Sequence, residues 1–87
     1  MLDSIRKALR ISSSAFDDEI EDLIDEAVRD LETSGIVNIS LDDALISKAI
    51  KTYCKANFGI DNKDSEKYQE SYESIKNKLA LCGDYIE

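Results

Sequence analysis

The chain has 87 residues, enough for one small domain that buries only about 60–65% of the surface its unfolded form exposes, so a partner surface would add usefully to its stability. At 43% hydrophobic and 34% charged, with no proline and 3 glycines, it reads as an ordered helical globule and not as a disordered segment. A net charge of −8 without histidine sets long-range repulsion against phosphate backbones and anionic membranes, which argues against free binding to either.

The opening Met1-Leu2-Asp3-Ser4-Ile5-Arg6 lacks the apolar core of a secretory signal, and no apolar run approaches the roughly 20 residues of a membrane span, so a cytoplasmic protein is expected. A first helix is predicted over about 3–10, capped by Asp3, with Leu2, Ile5 and Leu9 facing inward. Ser12-Ser13-Ser14 interrupts it. Ser14 is then the expected cap of a second helix over 15–34, with Asp17 in the capping-box position. Its apolar stripe is Phe16, Ile20, Leu23, Ile24, Ala27, Val28 and Leu31, and nearly every position between carries a carboxylate, offset only by Arg29. Acids in its first turns also meet the positive end of the helix dipole, so part of this density is structural.

Gly35 is the natural left-handed stop, and 36–39 form an apolar connector too short to found a sheet. A third helix is predicted over 41–58, capped by Ser40 with Asp43 in the box position. Its broad apolar face comprises Leu41, Ala44, Leu45, Ala49, Ile50, Tyr53, Cys54 and Phe58. After Gly59 and a polar turn at 61–64, Asp64 or Ser65 starts a last helix over 65–82, with Tyr68, Tyr72, Ile75, Leu79 and Cys82 on one face. Beyond Gly83, Tyr85 and Ile86 either pack back on the core or wait for a partner, and we expect this segment to be loose in the free subunit. The fold class expected is all-α, a single four-helix bundle-like domain over 1–87 with the third helix at its centre.

Catalytic chemistry finds little support. Acid–base or nucleophilic catalysis needs a base poised near neutral pH, and no motif joins the carboxylates, lysines, tyrosines and two cysteines into such a unit. Cys54 and Cys82 are too far apart for a metal-type pair and read as buried thiols. The stretch from Asp61 to Glu66 has the look of a calcium loop, but Lys63 stands third, Ser65 fifth, and Glu66 stands sixth, where glycine is required. Acidic pairs such as Asp18 with Asp22, or Glu21 with Asp25, have helical spacing for a divalent ion yet lack histidine or a second ligand helix. No metal, cofactor or catalytic residue is therefore expected. Lys48, Lys51 and Lys55 form the one coherent basic stripe. It is either a solvated face or the contact for the acidic helix of a neighbouring copy, with Asp18, Asp22 and Asp25 as the opposing residues.

The order of elements adds a resemblance. A short helix ending Ala8-Leu9-Arg10-Ile11 is followed by a serine-rich break, an acidic amphipathic helix, an alanine-rich helix ending Tyr53-Cys54-Lys55-Ala56-Asn57-Phe58-Gly59, and a tyrosine-bearing final helix. This resembles the head–tail connector family of tailed bacteriophages, small adaptor or head-completion proteins also described as DNA-packaging proteins. The resemblance implies a non-enzymatic virion-assembly protein of a phage or prophage, made in the bacterial cytoplasm and ending at the head–tail junction. It implies a homo-oligomeric ring of about a dozen copies below the portal protein, monomeric or not when free, meeting a tail-side adaptor or stopper protein. DNA would pass through without specific binding, and an acidic wall would keep it from sticking. It also implies that Tyr85 and Ile86 help seat the ring on the portal. The brief connector from Gly35 to Ser40 departs from the longer excursion of many relatives. A reading from another class is an acidic helical protein-binding module, such as a DNA-mimicking inhibitor or a small regulatory partner.

Overall fold

A computed structural model describes residues 1–59 and 63–86. Among them the chain forms four helices: α1 (Leu2–Leu9), α2 (Asp17–Thr33), α3 (Ala44–Asn57) and α4 (Ser65–Leu81). The architecture is the expected all-α bundle. α3 packs against each of the other three helices and most extensively against α4, with which it forms an antiparallel hairpin, as Tyr53 facing Tyr72 and Lys55 facing Tyr68 show.

The helix boundaries come from a few local devices. α2 closes with a Schellman motif: the Gly35 N–H donates to the Glu32 carbonyl at 3.0 Å and the Ile36 N–H to that of Leu31 at 3.2 Å, while Gly35 takes the left-handed conformation at φ 88°. Ile36 and Leu31 are both buried, so the cap also delivers an apolar contact to the core. α1 ends in the same way two residues before its serines, with Arg10 at φ 61° in the position glycine usually holds. The Ile11 N–H completes that motif on the Arg6 carbonyl at 2.8 Å.

Three expected caps are corrected. Asp3 does not cap α1 but pairs with Arg6 at 2.7 Å within the helix. Ser14 offers α2 only its backbone carbonyl, to the Asp17 N–H, because the Asp17 carboxylate is drawn to Arg6 and leaves no reciprocal box. Ser40 is likewise outside α3; the cap is Asp43, whose Oδ1 accepts the N–H groups of Leu45 at 2.8 Å and Ile46 at 3.1 Å.

The buried face of α3 keeps the predicted Ala49, Ile50 and Cys54 and differs at its first turn. Ile46, Ala49, Ile50 and Cys54 are fully enclosed, whereas Leu41 and Leu45, expected inside, are 43% and 45% exposed. Leu41 precedes the helix, and Leu45 turns about 100° away from Ile46. Phe16 is also exposed, and its ring meets Phe58 edge to face at 5.6 Å. Ile5, Ile20, Leu31, Ile36 and Leu79 complete the enclosed aliphatic core with Tyr72. Each aliphatic side chain withdrawn from water contributes about 1.5–3 kcal/mol.

Two predictions follow from this arrangement. Ile50→Asp places an unpaired carboxylate where α3 has no water and should cost several kcal/mol, abolishing the cooperative melting transition in thermal circular dichroism. Asp43→Ala should lower the midpoint by several degrees, and Ser40→Ala should leave it nearly unchanged; the reverse order would return the cap to Ser40.

Candidate functional site

Three polar junctions fix the helices before any outward surface is formed. The Arg6 guanidinium reaches across from α1 to hold Asp17 with two parallel bonds, Nε to Oδ1 at 2.8 Å and Nη2 to Oδ2 at 2.7 Å. That grip keeps the Asp17 carboxyl below the usual carboxylate range. Between α2 and α4, Asp30 accepts the Tyr72 hydroxyl at 2.6 Å and the Lys76 ammonium at 3.0 Å, and Lys76 also pairs with Glu73. The Tyr72 bond first, then Lys76, holds the Asp30 carboxyl low, while burial pushes the Tyr72 phenol up.

The third junction involves the segment after α4. Asp43 Oδ2 accepts the Tyr85 hydroxyl at 2.6 Å while its other oxygen caps α3. The Val37 N–H donates to the Tyr85 carbonyl, and the Asn38 side chain donates to that of Asp84 at 3.2 Å. Tyr85 is thus half-buried against the core and clamped across the connector, which corrects the expectation of a loose segment. The bond to Asp43 pushes the Tyr85 phenol up to about 12 and holds Asp43 low. Ile86 stays exposed beside it. Because α3 begins where α4 ends, Leu41, Leu45, Leu81 and Ile86 all lie exposed at this end of the bundle, Leu81 at 86%.

The charged candidates divide between two faces. Asp18, Asp22 and Asp25 are exposed along one line of α2 opposite its buried stripe. On the hairpin, Lys48 and Lys55 share a groove with Lys78 of α4, walled by Thr52, Ser71 and Ser74 and containing no carboxylate. Lys55 lies over the Tyr68 ring, 5.6 Å from its centroid, which gives that tyrosine a half-exposed role instead of the core position expected of it. Lys51 is turned from the groove, so the structure gathers two of the three stripe lysines and adds Lys78. The missed residue had a weak signal: Ser71, Ser74 and Lys78 recur at helical steps on the polar side of α4.

The same geometry answers for chemistry. Cys54 is buried and its thiol is pushed up to about 12, which removes it as a nucleophile near neutral pH; Cys82 is half-buried, and both are free thiols. No cluster of three metal-binding side chains occurs among the described residues, and of the calcium-like stretch Asp61 and Asn62 lie outside them. No helix among the described residues is long and apolar enough to cross a membrane.

A family model described as Phage connector protein matches residues 1–85. The chain belongs to the phage connector family. As such a connector it is a structural, non-enzymatic kind of protein, one that works at the virion head–tail junction among other phage head and tail proteins. No curated protein and no solved structure matches it.

The junction carboxylates give this connector a defined pH response. Asp17, Asp30 and Asp43 are held below their ordinary values in the folded state, so their contribution is complete above about pH 4 and is lost as pH falls through the lower folded values. Tyr72 and Tyr85 are raised, so theirs is complete below about pH 10 and is lost as pH climbs through the folded values. Thermal midpoints measured from pH 2 to 11 should fall at both ends. Asp30→Asn, which keeps an oxygen for the Tyr72 hydroxyl, should flatten the acid limb relative to the parent; an unchanged limb would remove Asp30 from the account.

Proposed function

We propose that this connector assembles as a homo-oligomeric ring of about a dozen copies below the portal, completes the head after DNA packaging, extends the DNA channel and offers a platform to a tail-side adaptor or stopper protein. The observation that carries this reading is the family match across residues 1–85, nearly the whole chain. The charge supports it: each copy brings a net −8, so a channel built from such copies repels the passing duplex instead of retaining it. The exposed leucines support it as well, since a small domain that leaves Leu41, Leu45 and Leu81 in water gains by covering them.

Seating on the portal uses the apolar end of the bundle. Ile86 stands there next to Tyr85, whose clamp on Asp43 holds the segment in place before docking and spares part of the ordering entropy. Electron microscopy of the protein mixed with its portal should show an added coaxial ring. Portal particles that remain unchanged in the presence of excess connector would refute the proposal. Leu45→Asp and Ile86→Asp should weaken portal binding about tenfold or more in sedimentation, with melting midpoints close to the parent, because neither side chain is in the core. Undiminished binding by both variants would move the docking surface elsewhere.

A further inference from the structure

Internal pairing sorts the charges of this molecule into two groups. Arg6, Lys76, Asp17 and Asp30 are engaged inside the subunit. Asp18, Asp22 and Asp25 on α2, and Lys48 and Lys78 on the hairpin, have no ion pair within the subunit among the described residues. The two unspent sets are opposite in sign and lie on different helices.

The spacing of the acidic line also matches that of lysines on α3. Asp18 to Asp25 and Lys48 to Lys55 are both seven-residue intervals on α-helices, about 10.5 Å along the axis at 1.5 Å per residue. The groove that holds Lys48 and Lys55 has Lys78 on its far wall. Thr52, Ser71 and Ser74 add hydroxyls that can donate to carboxylates. Resting on the ring reading, we propose that the α3–α4 groove of one subunit receives the acidic line of α2 from the next copy, with Lys48, Lys55 and Lys78 set against Asp18, Asp22 and Asp25.

The contact is heterologous, since each subunit offers its acidic line to one neighbour and its groove to the other. Such head-to-tail contacts close into a ring when the rotation per subunit permits. Lys51, turned out of the groove, takes no part. A nucleic-acid backbone is the other polyanion of suitable chemistry, but the net charge of −8 opposes its approach and the groove has no arginine for bidentate phosphate contacts.

The test uses two full-length variants, Lys48→Glu/Lys78→Glu and Asp18→Lys/Asp22→Lys, checked for parental melting behaviour because all four positions are outside the core. Each alone should lose assembly on the portal about tenfold or more, through like-charge contact, and an equimolar mixture should regain it as an alternating ring. Assembly of the parent should weaken as salt rises from 0.05 to about 0.5 M. Variants that assemble like the parent, or a mixture of folded variants that stays unassembled, would overturn this interface while leaving the ring reading intact. Parent protein that forms no ring on the portal would remove both. Duplex DNA binding that is lost in Lys48→Glu/Lys78→Glu would assign the groove to a phosphate backbone and overturn the pairing.

Discussion

The Asp43 carboxylate is the point on which the rest of the architecture turns. One of its oxygens ends the orphan N–H groups of Leu45 and Ile46 and so decides that α3 starts at Ala44; the other holds the Tyr85 hydroxyl. Beside that bond, the Val37 N–H and the Asn38 side chain donate to the carbonyls of Tyr85 and Asp84, so the connector and the segment after α4 are held together next to the start of α3. Along α3 the helical period puts Ile46, Ala49, Ile50 and Cys54 toward the core, and Lys48, Thr52 and Lys55 toward the groove beside α4. One side chain therefore fixes where the central helix begins and ties that start to the segment after α4. Its low folded-state pKa follows from serving both purposes as an ionised acceptor.

Electrostatics in this small protein act at two ranges. Arg6 with Asp17 and Lys76 with Asp30 are short, partly shielded pairs that select which helix faces meet. The unspent carboxylates of α2 repel one another along an exposed line, a cost that an isolated subunit bears and a neighbour bringing lysines would relieve. A helix with this much negative charge and only Arg29 to offset it thus suits the proposed contact with a neighbouring copy.

Much of the fold was legible because period alone reports it. The stripe Ile20, Leu23, Ile24, Ala27 and Leu31 is buried as its spacing requires, and Gly35 makes the left-handed stop its chemistry allows. Reading failed where two residues competed for one task. Ser40 and Asp43 both suit a cap, and only the tertiary demand of Tyr85 separates them, a contact 42 residues away. Arg10 in a left-handed turn carried no signal because the serines beyond it look like the stronger break. The groove was half legible: Lys48 and Lys55 share a helix and their spacing shows it, whereas Lys78 joins them only through the pairing of α3 with α4.

The division between core and surface bears on why such a chain serves as a connector. An 87-residue domain has few enclosed side chains to spend on stability, and here they are concentrated on α3 and the faces that meet it. The exposed leucines gather at the end where α3 begins and α4 finishes, while the charge lines run along α2 and the hairpin groove. Apolar contact at an end gives affinity with little control of orientation, whereas charge lines on the flanks fix register and reject wrong partners at modest cost in affinity. In the proposed ring, a subunit that seats on the portal while aligning with its own copies uses both. On that reading the separation lets each contact form without occupying the surface of the other, so docking at the apolar end would raise the local concentration of subunits and favour the flank contacts.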